Sequence, residues 1–195
     1  MSMKRIAVYC GSSSGSDPAY LNAADALGRT LAREKIELVY GGGGVGLMGR
    51  VASAALDAGG HVIGVIPKFL LEKEKGDLQL PDQRVVTSMH ERKALMADLA
   101  DGFIAMPGGF GTLEELCETV TWGQLGLHVK PFGLLNVAGF YDHFLTFLDL
   151  ATERQFIKQK YRDLVLTDGD CTRLLDKMRN WHHAAIPQRI TAEGT

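Results

Sequence analysis

The sequence lacks an excess of either charge. Its 21 lysines and arginines face 23 acidic residues, for a formal net charge of -2. Nothing therefore predicts the positive field of a nucleic-acid binder. It also lacks any apolar run near the roughly 20 residues of a membrane span. The apolar stretch at residues 6–10, behind a basic start, is too short for a secretory signal, so a cytoplasmic protein is expected. Cysteine is scarce: Cys10, Cys117 and Cys171 show neither metal-ligand nor redox spacing and read as reduced, small buried hydrophobes. The six histidines show no ligand spacing either, and no metal is expected. What the chain does have is apolar content, 46% of 195 residues, which suits one compact domain with a sizeable core.

Short apolar runs alternate with helical stretches. Strands are predicted at residues 5–10, 37–40, 61–66, 84–87, 102–106, 132–136 and 164–167. Helices are predicted at 18–35, 46–58, 89–100, 112–126, around 141–153 and at 170–181. Asp17 before Pro18 is a plausible N-cap with proline at the first helical position. The charged stretch KFLLEKEKGD reads as an irregular loop or a short helical turn. Strands alternating with helices imply an α/β fold, a three-layer Rossmann-like domain with a mostly parallel sheet of about 6–7 strands. The runs are continuously apolar, as strands buried on both faces should be. Residues 1–181 read as a single domain and residues 182–195 as a loose tail. Right-handed crossovers put the strand-to-helix loops at the carboxyl edge of the sheet, where such folds bind ligands.

Two of those loops are unusually rich in glycine: Gly41-Gly42-Gly43-Gly44-Val45-Gly46-Leu47-Met48-Gly49 and Pro107-Gly108-Gly109-Phe110-Gly111-Thr112. Each glycine costs about 1 kcal/mol of order relative to alanine in regular structure, so the clusters need a reason. One is a nest of amides at a helix N-terminus for an anion. The other is a tight turn with close helix–sheet packing. Two such loops, each between a strand and a helix, point to phosphate or nucleotide binding, with Gly43, Gly44 and Gly46 as phosphate-loop candidates. No Lys-Ser or Lys-Thr pair follows the first loop, so it is not a Walker loop. It departs from the dinucleotide fingerprint as well. The loop Gly11-Ser12-Ser13-Ser14-Gly15 adds hydroxyls at the same edge, or is a polar turn.

Charged residues mark two helix starts. Thr112-Leu113-Glu114-Glu115 has the form of a capping box, with Thr112 as N-cap and Glu115 at N3; Ser88-Met89-His90-Glu91 has the same form. Arg92 and Lys93 then fall in a first turn, where the helix dipole disfavours cations. Such a local conflict tends to mark a functional site, and an anionic ligand would resolve it. If the fourth and fifth strands are neighbours, Arg92 and Glu115 meet across one cleft. A carboxylate and a guanidinium beside a phosphate cradle suit glycosidic cleavage, whose transition state resembles an oxocarbenium ion.

The segments Gly42–Gly49, Met89–Lys93 and Pro107–Glu115 resemble the LOG (Lonely guy) family over about residues 4–179. The PGGxGTxxE motif is the most specific part. The resemblance implies a cytokinin riboside 5′-monophosphate phosphoribohydrolase, an AMP nucleosidase-like N-glycosidase. Such an enzyme splits (N6-substituted) adenosine 5′-monophosphate into free base and ribose 5-phosphate without a cofactor. It implies Arg92 and Glu115 as the catalytic pair. Lys93, Gly109, Phe110, Gly111, Thr112, Leu113, Glu114, Thr121 and Glu74 are implied as further substrate contacts. It also implies a homodimer whose second subunit completes the pocket. Trp122, Met48 and Met89 are candidates for a base pocket or for ordinary core. Many such sequences carry the label lysine decarboxylase; a pyridoxal-phosphate enzyme needs a Schiff-base lysine and an acidic partner for the ring nitrogen, and no such set is evident. Two alternatives are a non-catalytic carrier resembling molybdenum-cofactor carrier proteins, and a nucleotide-sensing interaction module. The Arg92/Glu115 combination argues against the carrier.

Overall fold

The computed structural model describes residues 3–71 and 80–182. Among the described residues, seven strands form one all-parallel sheet. They are β1 (Arg5–Tyr9), β2 (Glu37–Tyr40), β3 (Val62–Pro67), β4 (Asp82–Val86), β5 (Gly102–Ala105), β6 (Phe132–Leu135) and β7 (Val165–Asp168). The helices between them are α1 (Pro18–Arg33), α2 (Gly46–Asp57), α3 (Lys68–Leu71), α4 (Met89–Leu99), α5 (Phe110–Leu125), α6 (Asp142–Glu153), α7 (Gln159–Arg162) and α8 (Cys171–Arg179). The short helix α7 and a 3-10 turn at Val137–Gly139 were not expected from the sequence. Glu74 and residues 183–195, most of the expected tail, lie outside the described residues. Among the described residues no helix is long and apolar enough to cross a membrane.

Side chains alternate across each strand, and the two faces carry separate cores. Ile6 and Val8 pack with Leu27, Leu31, Val51 and Leu174 beneath α1, α2 and α8. Ala7 and Tyr9 pack with Val39, Phe103, Met96 and Leu116 beneath α4 and α5. Every residue of β3 and β5 is buried, which is why their sequences read as unbroken apolar runs. β4 is an edge strand and alternates between exposed and covered residues.

The helix starts agree with the sequence at two places. The Asp17 carboxylate accepts from the Ala19 amide at 2.8 Å, with Pro18 opening α1. Ser88 Oγ accepts from the Glu91 amide at 3.1 Å, and the Glu91 carboxylate accepts from the amide and hydroxyl of Thr87 at 2.7 Å. Glu91 is therefore a capping residue.

The strand order is β4-β3-β2-β1-β5-β6-β7. The order reverses between β1 and β5, so that point is the switch at which open α/β sheets hold ligands. β4 and β5 are not neighbours: three strands separate them. The condition set for Arg92 and Glu115 to meet is therefore not the one the fold uses. Helix α4 runs back from the sheet edge and packs against β1, β2, β3 and β4. That crossing, not strand adjacency, brings its first residues toward the start of α5.

Candidate functional site at the sheet switch point

A cleft of about 270 Å³ opens where β1 and β5 end. From the first of these come Cys10, Gly11 and Ser12; from the second, the loop and helix start Gly109–Thr112, with Glu114 and Glu115. Met48 of α2, with Met89 and Arg92 of α4, closes the remaining side. Arg92 and Glu115 thus share one hollow. Both are buried, at 6% and 9% exposure, so neither is an ordinary solvated surface charge.

Burying a guanidinium demands fixed partners. Arg92 Nη2 donates to the Gly41 carbonyl at 3.0 Å, and Nη1 contacts Met89 Sδ at 3.7 Å. Arg92 Nε, also buried, has no partner among the described residues. The guanidinium is held by one edge and keeps an unmatched donor.

Helix α5 begins earlier than the sequence predicts. Gly109 is its N-cap, and no side chain caps it. Thr112 is therefore inside the first turn, and Glu115 lies beyond it. The expected capping box at Thr112 does not form, and the structural explanation it offered for Glu115 falls with it. The first amide to bond within the helix is that of Leu113, to the Gly109 carbonyl. The amides before it have no intrahelical acceptor, and their residues line the cleft. That is a donor nest at the positive end of a helix.

The two glycine loops differ in what their glycines are for. A Cβ at Gly41 would overlap Arg92 Nη2, and one at Gly46 would overlap the backbone of Ser12. The amides of Leu47 and Met48, at the start of α2, donate to the Gly11 carbonyl at 3.1 and 3.3 Å. The first loop is thus packed against the rest of the protein, and the amides of Leu47, Met48 and Gly49 at its end are engaged internally. Gly43, Gly44 and Gly46 do not line the cleft. At Gly109 and Gly111 the opposite holds: nothing lies within 4 Å of where a Cβ would stand. Among the described residues, no packing neighbour requires those two positions to be glycine.

Lys93 is buried, and its ammonium pairs with Glu114 and, at 2.9 Å, with Glu118. Lys93 and Leu113 are not among the residues lining the cleft. Thr121 lies in a separate groove with Leu116, Phe144, Leu148 and Tyr161, and its hydroxyl donates to the Cys117 carbonyl. Trp122 packs against the core instead of the cleft, whereas Met48 and Met89 reach it. Phe110 stands 93% exposed at the mouth.

Beneath the pair, Thr119 Oγ1 donates to the Tyr9 hydroxyl at 3.1 Å. Burial pushes the Tyr9 phenol well above its usual range. Burial, reinforced by Glu115, also pushes the Cys10 thiol up. The thiol stays protonated near neutrality and is no ready nucleophile. The roles of Cys10, Gly41, Tyr9 and Glu118 were not evident in the sequence. Only Glu118 left a trace there: it repeats Glu114 one helical turn on, two like charges that want a shared cation.

A parallel sheet covered on both faces, with a cleft where its strand order reverses, defines a Rossmann-like α/β protein. Solved folds agree. The molybdenum cofactor binding protein of Rippkaea orientalis superimposes with TM-score 0.65 at 24% identity, covering 92% of this chain and 97% of that one. The molybdenum cofactor carrier protein of Chlamydomonas reinhardtii gives 0.65 at 22%, covering 90% and 95%. Residues 48–178 match the family described as "Possible lysine decarboxylase". The chain is 51% identical over 178 residues to the "Cytokinin riboside 5'-monophosphate phosphoribohydrolase LOG" of Oryza sativa subsp. japonica, covering 91% of this chain and 74% of the relative. It is 49% identical over 191 residues to the corresponding LOG4 of Arabidopsis thaliana, covering 97% and 89%. The chain belongs to the LOG family.

Proposed function

We propose that this protein hydrolyses the N-glycosidic bond of adenosine 5′-monophosphate and its N6-substituted forms, releasing free base and ribose 5-phosphate. The observation that carries this reading is the burial of Arg92 and Glu115 on one cleft, beside the uncapped start of α5. The phosphate binds the amides of Phe110, Gly111 and Thr112, where the helix dipole adds to the attraction. Charge at the anomeric carbon develops next to Glu115, which stabilises it and orients water. The water oxygen bonds to C1′, the bond from C1′ to the base nitrogen breaks, and a proton from water goes to the base. Arg92, with Nε unmatched, is suited to hold a phosphate or sugar oxygen, or to stabilise the departing base. Its anchor to Gly41 keeps it oriented before substrate arrives. Met48 and Met89 supply apolar surface for a purine.

Among the other expected contacts, Glu114 lines the cleft half-exposed and is paired with Lys93, while Leu113 packs against the core. Thr121 lies in a different groove, so it reaches substrate only in the pocket of a second copy. Exposed apolar side chains, Phe110, Phe147, Leu150 and Phe156 among them, are available to a homodimer of this kind. We place the enzyme in the cytoplasm. The carrier reading is the weaker one: the carriers resemble this chain at 22–24% identity, against 51% and 49% for the phosphoribohydrolases.

The test is a panel of nucleoside 5′-monophosphates, with and without N6 substituents, assayed for free base. Base release with equal ribose 5-phosphate is expected; tight binding of AMP with no base released would favour a carrier. Gly109→Ala sharpens the phosphate assignment. The added methyl meets no described atom within 4 Å beyond its own chain neighbours and helix backbone, so the melting temperature should fall by only a few degrees, the cost of about 1 kcal/mol for alanine in place of glycine at an N-cap. It intrudes on the space assigned to phosphate, and KM should rise about tenfold, the loss of roughly one charge-assisted hydrogen bond. An unchanged KM would move the phosphate elsewhere.

A further inference from the structure

Lys93 follows Arg92 on α4, and its side chain is only 9% exposed. Its ammonium bridges to two acids on α5, Glu114 and Glu118. Those acids are four residues apart, one turn of helix, where like charges repel; the shared ammonium offsets that repulsion. Burial by itself lowers the lysine's pKa, but the two carboxylates outweigh it and hold it above the ordinary value. The acids are not equivalent. Glu114 lines the cleft and is 53% exposed. Glu118 is 28% exposed and does not line the cleft. Its observed partner is Lys93. The clasp adjoins the site on both helices, since Arg92 precedes Lys93 and Glu115 follows Glu114.

We propose that Glu118 is a positioning residue for the reaction: gripping Lys93, it sets the spacing of α4 and α5 that brings Arg92 and Glu115 to one hollow. This rests on the hydrolase reading above. Without the Glu118 charge, Lys93 is left to Glu114 alone and draws it inward, and the first turns of α5 shift with it. The reacting groups tolerate little of that, because a misplacement of about 1 Å can cost on the order of 10²-fold in rate.

The experiment compares the full-length wild type with E118Q, K93M and the double variant, using the best monophosphate of the panel. Lys93 titration is followed by NMR of 13Cε-labelled lysine. In E118Q, kcat should fall about tenfold or more while KM stays within about threefold, because orientation is lost and not binding. The double variant should be no slower than K93M, since both changes open the same clasp. The Lys93 titration should move down in E118Q. A role in stability alone would lower the melting temperature and leave kcat unchanged, and that result overturns the proposal. So do losses that multiply in the double variant, or a Lys93 titration indifferent to E118Q. A wild type that releases no base defeats the hydrolase reading and the positioning role together; an active wild type with E118Q at full kcat defeats the positioning role alone.

Discussion

Glu115→Gln should lower base release by more than about 10²-fold while the protein folds and binds monophosphate as before, the loss expected when a transition-state charge is removed. The substitution keeps the shape of the side chain and deletes its charge. It costs the helix little, because α5 is capped at Gly109 and not through Glu115. Had the capping box formed, the same change would have weakened the helix start, and a drop in rate would have been ambiguous. Here kcat, the dissociation constant of a monophosphate and the melting temperature separate cleanly. A large fall in kcat with the other two unchanged is the expected pattern. Turnover within about threefold of wild type, well short of the loss of such a charge, would remove Glu115 from the chemistry.

The second large effect is expected from a residue outside the cleft. Gly41→Ala should abolish most activity, because the new methyl would occupy the space of Arg92 Nη2, with Met48 Sδ 3.2 Å away on the same side. The guanidinium must leave its place and give up the Gly41 carbonyl. Losing a buried hydrogen bond to a charged group costs about 1.5–3 kcal/mol, which lowers the melting temperature of a domain this size by roughly 3–12 °C. The rate loss should match that of Arg92→Ala, about 10²-fold, the scale of one preorganised electrostatic group. The double variant makes the cause explicit. With Arg92 already shortened to alanine, the methyl at position 41 meets no guanidinium, and Gly41→Ala should then cost little further stability or activity. Equal damage in both backgrounds would show that Gly41 serves the backbone and not Arg92.

These two residues also illustrate how far the site was legible in one dimension. Arg92 could be noticed because it contradicts its surroundings: a cation in the first turn of a helix opposes the local dipole. The anomaly survives in the structure as a buried guanidinium. Glu115 drew attention through a pattern that turned out not to form. Gly109 starts α5 sooner than Thr112 would, and a capping signature read from four letters cannot register which of two residues within one turn of each other leaves the extended conformation first. Gly41 was seen only as one of a run. Its role depends on a side chain 51 positions away.

Sequence alone determined the class of fold. Strands covered on both faces must be apolar throughout, and helices between them must carry one apolar side, so alternating patterns imply a parallel sheet between two helical layers. It also sufficed to pick out the two glycine loops and the misplaced cations, because glycine runs and unfavourable charges are local costs that need a local or bound compensation. Tertiary structure decided the rest. The strand order put β1 beside β5 and carried α4 over three strands to the cleft. It turned one glycine loop into packing around Gly11 and Arg92, and left the other open at Gly109 and Gly111. It also gave Lys93 to Glu118. Each of these depends on which surfaces touch, and residues far apart in the chain carry no mark of their contact until the chain folds.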